Sequence, residues 1–161
     1  MSYLSPNTNF IDLDHMYNHI YQENCENSLN ENSISHFLNS NENFSLFNQI
    51  LKSSQLQSKY DNLDEKLTLF VAPNNIIDKN IINNLDVSVA RHIILSSTIQ
   101  NLIPSEILEY SPHLTYNTKN NQHKLNIVNQ NGTTQLNNLQ LISKDIICEN
   151  GIIHILNGIF I

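Results

Sequence analysis

Tryptophan is absent from this 161-residue chain, cysteine occurs twice, glycine three times and proline four times. Each scarcity excludes something. Two cysteines, Cys25 and Cys148, cannot build a disulfide framework and lack the paired spacing of a zinc site; they form at most one bridge, or remain two thiols. Every glycine (Gly132, Gly151, Gly158) follows an asparagine, so no Gly-rich loop can cradle a phosphate and no Gly-x-Ser-x-Gly turn presents a nucleophile. Basic charge is scarce too. Eight Lys and Arg against fifteen Asp and Glu give a net charge of −7, a field that repels phosphates, so nucleic acid is not an expected partner. No apolar run approaches the roughly 20 residues of a membrane-spanning helix. The first ten residues lack the basic and apolar stretches of an export signal. Charged residues are 14% of the chain, and asparagine stands in their place: 28 Asn accompany 22 Ile. Both have A- and T-rich codons, which points to an AT-rich genome such as that of a large DNA virus, a protist or a bacterium.

What is present organises into one core-forming domain and an extension. Residues 1–32 are polar, with Leu13, Met16, Tyr17 and Ile20 at helical spacing and a link over 25–32. Residues 33–161 form the domain. A short helical turn suits 33–38. Phe44, Phe47, Ile50 and Leu51 share one helix face, with Asn43 or Ser45 near its N-cap. Residues 67–72 are a strand stopped by Pro73. Spacing predicts a helix over 76–85, the end of a helix or a strand over 87–94, and a short helix over 105–109. Strands follow at 124–128 and 133–135, flanking Asn131-Gly132, the strongest short-range hairpin signal. Further strands are expected at 136–142, 145–148, 152–156 and 159–161, with Asn150-Gly151 and Asn157-Gly158 turning the chain at φ > 0. Helices first and short strands afterwards give an α+β fold with an antiparallel or mixed sheet.

Four stretches in this order carry a family resemblance. They are Asn43-Phe44-Ser45; the strand ending Phe70-Val71-Ala72-Pro73-Asn74-Asn75; Arg91-His92; and Asp145-Ile146 followed by Asn150-Gly151-Ile152-Ile153-His154 and Asn157-Gly158. Over 33–161 the chain resembles the fasciclin domain, whose closing block reads Asn-Gly-Val-Ile-His-Val-Ile-Asp. Three positions depart from the pattern. Arg91 stands where the family has tyrosine, Asn157 where it has aspartate, and 76–78 lacks the common Glu-Ala-Phe. The resemblance implies a β wedge or sandwich with short helices packed around it, with Phe70, Ala72, Pro73, Asn75, Asn150, Gly151, His154 and Gly158 as fold markers. It also implies adhesion or protein recognition at a cell, matrix or virion surface, without a cofactor. Arg91 and His92 fall at the family's Tyr-His adhesion position. Lys144, Asp145 and Ile146 resemble the short Asp-Ile motifs to which integrin recognition is ascribed in animal members; the simpler reading is an aspartate that caps the turn and an isoleucine that fills the core. A second implied function is carriage of a small apolar ligand, lipid or pigment, within the wedge.

No constellation of catalytic type competes with this. His154 lies among isoleucines with no second ligand at metal spacing, and reads as a core histidine bonded to backbone. Cys148 and His154 stand six residues apart across a turn, while Asp61, Asp64 and Glu65 sit in a polar loop. His15 and His19, four residues apart on the extension, could meet one metal ion but lack a Glu-x-x-His companion. No enzyme and no metal are expected. Asn43 and Asn131 head glycosylation sequons, and residues 1–32 could serve as an arm exchanged between copies.

Overall fold

The computed structural model describes residues 32–161. The amphipathic stretch, His15, His19 and Cys25 lie outside them. The front half is helical: α1 (Ile34–Ser40), a 3-10 turn (Glu42–Phe44), α2 (Ser45–Ser54), α3 (Gln57–Asp61), α4 (Lys79–Asn83), α5 (Val87–Ser96) and α6 (Ser105–Leu108). Aspartates start two of these: Asp78 caps α4 through Asn80 N, and Asp86 caps α5 through Val89 N at 2.8 Å. The apolar run at 87–94 is therefore helix, and the expected helix at 76–85 shortens to α4.

Neither Asn43 nor Ser45 caps α2. That role falls to Asn74, whose Oδ1 accepts from Leu46 N at 2.9 Å and whose Nδ2 donates to Glu42 O and Ser45 Oγ. Asn75 beside it is exposed.

The strands are β1 (Leu67–Val71), β2 (Thr98–Ile99), β3 (His113–Asn117), β4 (Lys124–Gln130), β5 (Thr133–Leu136), β6 (Leu139–Cys148) and β7 (Gly151–Leu156). They order as β2-β1-β7-β6-β5-β4-β3, with β1 and β7 parallel and every other pair antiparallel. The strands expected separately at 136–142 and 145–148 are one long β6. It shifts register between Leu141 and Ser143 and again before Ile146, so its start pairs β5 and its remainder β7.

Two hydrophobic clusters occupy the two faces of β1. Leu67, Leu69, Val71 and Ala72 pack with Phe47, Ile50, Leu51, Ile93, Ile94 and Ile153 under the helices. Phe70 faces the other way, into a cluster with Ile103, Leu108, Leu125, Ile127, Leu136 and Leu156. Each such fully buried side chain contributes about 1.5–3 kcal/mol, so the two clusters dominate stability. Pro73 ends the β1 run, as its missing N–H requires.

The turns hold two corrections. Asn150, Gly151, Asn157 and Gly158 all lack positive φ, contrary to expectation. Gly151 is instead required for space: a Cβ there would meet Leu67 O at 2.1 Å and Ile34 Cδ1 at 2.8 Å, because β7 passes directly against β1. At Gly158 a Cβ would meet Leu139 Cδ2 at 2.7 Å. Left-handed backbone lies at Asn131 and Gly132, as the hairpin signal implied, and also at Asn137 and Asn138 between β5 and β6. The expected strand at 159–161 is irregular chain, with Phe160 buried in the second cluster.

Candidate functional site

The register shift in β6 places Asp145 in left-handed backbone, φ 59°, a conformation that costs most residues energy and aspartate less. Its N–H and its carboxylate both turn to partners within the domain. The backbone N–H donates to His154 Nδ1 at 3.2 Å; the carboxylate accepts from Ser105 N at 2.9 Å and from the Ser105 hydroxyl. Asp145 thus caps α6 from 40 residues away. His154 completes the arrangement: its Nε2 bonds Ile103 O at 2.7 Å. A nitrogen facing a carbonyl must carry the proton, so the ring is neutral with hydrogen on Nε2 and a lone pair on Nδ1 that accepts from Asp145. The ring is fully buried and lies 5.5 Å from Phe70 at 26°. Burial holds its pKa below the ordinary 6.5, with the Ile103 carbonyl and the Asp145 charge opposing.

Both ring nitrogens are occupied. This geometry leaves no lone pair for a metal ion and no base for proton abstraction, and it ties β7, the bulge of β6 and the start of α6 together. Among the described residues no three His, Cys, Asp or Glu side chains gather as a metal site. Cys148 is also buried, and burial pushes its thiol up to about 12, which suppresses the thiolate a nucleophile needs.

What the bulge shows to solvent differs. Ile142, Ser143 and Lys144 are exposed. Lys144 Nζ meets Glu109 Oε2 at 2.8 Å, a half-exposed pair worth roughly 0–1 kcal/mol. Ile146 is half-buried against the helical cluster. The structure therefore splits the Lys144-Asp145-Ile146 triplet: lysine outward, carboxylate turned to Ser105, isoleucine toward the core.

Arg91 and His92 sit on α5, both exposed. Arg91 Nε donates to Ser54 O at 2.9 Å, satisfying a carbonyl at the end of α2, where a cation also suits the helix dipole. His92 Nδ1 accepts from Asn120 Nδ2 at 3.2 Å, and the same amide reaches Ser96 Oγ. This second patch joins α5 to α2 and to the β3–β4 loop. No hydrogen bond or ion pair among the described residues links it to the bulge.

Ser105, Glu109, Ser54 and Asn120 were not singled out from sequence. Only Ser105 carried a local signal, as the residue after Pro104 at a helix start; the others acquire meaning from partners 28 to 37 residues away.

Clefts open on the surface. One of about 510 Å³ is lined by Gln100, Asn101, Asn117 and Lys119 together with Ile99 of the second cluster and Tyr116 packed against it; another of about 490 Å³ lies over α1–α3 and includes His36, Asn39, Lys52 and Asp61. No described helix is long and apolar enough to cross a membrane.

None of the curated proteins matches the chain by sequence. By structure it is similar to a FAS1 domain pair from the insect cell adhesion molecule fasciclin I, with a TM-score of 0.66 and 17% identity, across 82% of this chain. The chain spans about half the length of that structure, 51%. The family model described as Fasciclin domain matches residues 42–161, from the turn before α2 through β7 to the last residue. With the mixed sheet, helices α2 to α6 and the His154–Asp145 tie all falling inside that match, the chain belongs to the fasciclin domain family.

Proposed function

We propose that the chain is a non-enzymatic recognition module of adhesion type, binding a protein or matrix surface through the β6 bulge and the exposed face of α5. One observation carries this reading. The groups best suited to chemistry, His154 and Asp145, are bonded to each other and to Ile103 and Ser105, while the side chains left facing solvent are of the contact-making kind. Fasciclin domains are adhesion-related modules, and the structural relative's own description is that of a cell adhesion molecule. Contact is assigned to Lys144 on the bulge and to Arg91 and His92 on α5, with Asp145 and Ile146 shaping the bulge that presents the lysine.

Carriage of a small apolar ligand has less support. The two clusters are filled by side chains 0–6% exposed, and the surface clefts are lined mainly by amides, hydroxyls and charged groups, with Ile99 and Tyr116 the apolar exceptions in the 510 Å³ cleft.

The test is attachment of host cells or matrix proteins to the immobilised full chain. Attachment is expected, weakened several-fold by Lys144→Glu and by the pair Arg91→Glu and His92→Ala, with the fold retained because the ties lost, to Glu109, Ser54 and Asn120, are surface ones worth about 1 kcal/mol each. Attachment that ignores both variants removes these residues from the interface. A pigment or lipid that co-purifies would favour the carrier.

A further inference from the structure

Charge is divided sharply along this chain. Residues 110–144, which hold β3, β4, β5 and the first half of β6, contain three lysines and not one Asp or Glu, so all fifteen acidic residues lie elsewhere. Residues 1–31 show the reverse: five acidic residues, Asp12, Asp14, Glu23, Glu26 and Glu31, and no Lys or Arg.

The acid-free strands make a sheet with one open face. Its row His113, Val128, Gln135 and Gln140 crosses all four strands in register, and each of these side chains is exposed. Val128 and Ile142 leave 38% and 49% of their surface in solvent there, among uncharged amides. Lys124 stands on the same face and has no ion pair among the described residues.

We propose that residues 12–26 of the chain dock on this face of their own domain, acidic side chains toward Lys124 and apolar ones over Val128 and Ile142. The tether reaches. Asn32 O accepts from Glu149 N at 3.1 Å, which fixes the start of the domain beside the end of β6. Six residues back from Asn32 span at most about 20 Å. The six residues of β6 from Cys148 back to Ile142 rise by about the same length. Glu26 can therefore arrive at Ile142, and the fourteen residues before it continue across the sheet toward Val128 and Lys124. The segment brings what the face can accept: Leu13, Met16, Tyr17 and Ile20 recur three or four residues apart, between acidic ends. Tethering supplies an effective concentration of order millimolar, so contacts too weak to hold a separate peptide suffice.

The cysteines provide the experiment. Cys148 is buried with its thiol pushed up to about 12, so a thiol-reactive nitroxide marks Cys25 in the native full chain. At about 0.01 M salt the label is expected to broaden the amides of Asn126, Val128, Gln135 and Gln140. Broadening should fade at about 1 M, where the screening length has fallen from about 30 Å to about 3 Å. Lys124→Glu and Ile142→Asp, both exposed, should each reduce it several-fold while leaving the dispersion of the spectrum intact. Broadening elsewhere, as over the cleft at His36 and Lys52, or none at all, overturns the proposal. So does equal broadening of an unlabelled isotope-enriched chain by a labelled one, which would mean that the segment serves a second copy.

Discussion

At the tip of the β4–β5 hairpin, Asn131 and Gly132 turn the chain with φ of 55° and 77°, in solvent, and a Cβ added to Gly132 would meet nothing within 4 Å. Between β6 and β7 the same dipeptide, Asn150-Gly151, has no positive φ and is fully enclosed. Asn150 Oδ1 accepts from Ile34 N, its Nδ2 donates to Tyr60 O and Asn62 O, and its carbonyl accepts from Leu67 N. One pair serves the local backbone; the other clamps α1, α3 and β1 onto the sheet. Identical letters do different physical work because one is solved by two torsion angles and the other by partners 83 to 116 residues away. Asn157-Gly158 falls between: Asn157 exchanges bonds with Gln140 across β6, and Gly158 is confined only by the movable tip of Leu139.

The contrast can be broken by substitution. Gly151→Ala drives a methyl into the Leu67 carbonyl, a backbone group that cannot step aside, and is expected to cost about 3 kcal/mol or more. Urea unfolding should show it, or the protein should fail to accumulate. Asn150→Ala leaves Ile34 N, Tyr60 O and Asn62 O without their partner, for roughly 2–3 kcal/mol by the same measurement. At the hairpin tip, Gly132→Ala meets no atom and pays only for its positive φ, about 1 kcal/mol. If Gly132→Ala proves as damaging as Gly151→Ala, the distinction drawn between the two turns is wrong.

A smaller effect is read against pH. Burial holds the His154 pKa below its ordinary 6.5, so below about pH 6.5 the unfolded chain takes up a proton that the folded chain refuses. Stability attributable to His154 is therefore present above pH 6.5 and lost as pH falls toward the folded value. The slope is at most about 1.4 kcal/mol per pH unit for one proton. Comparing the urea midpoints of the native chain and His154→Gln near pH 7 and pH 5 isolates it. The native chain should lose more across that interval, even though the variant is weaker at both ends.

The same contrast explains what could be read in advance. The β4–β5 hairpin was legible because Asn131-Gly132 is its own instruction, and α2 because its apolar face repeats; the β-branched run at 87–94 left helix and strand both open, and the Asp86 cap makes it α5. The closing block was legible through family resemblance, which located His154 and Asn150 without saying what they touch. Asn137 and Asn138, both in left-handed backbone, escaped notice because Asn-Asn is commonplace in a chain with 28 asparagines. β3 escaped because its His113–Asn117 run, though it alternates polar and apolar, is five residues long with only Leu114 and Tyr116 to bury, and pairing with β4 makes it a strand. Asp145 resembled part of a recognition motif, with a turn cap as the simpler reading. Its inward turn depends on φ 59° at a register shift and on Ser105, 40 residues earlier, neither of which a local pattern encodes.

The most direct measurement is nitrogen-15 NMR of the imidazoles, followed from about pH 8 to about pH 5, the range in which an unperturbed histidine changes charge. His154 should hold a proton on Nε2, keep a bare Nδ1 and stay neutral throughout, with its shifts indifferent to added zinc. A His154 that titrates near 6.5, exchanges tautomers or moves on zinc addition would contradict its role as a scaffold group, and with it the reading of this site as a surface built for contact.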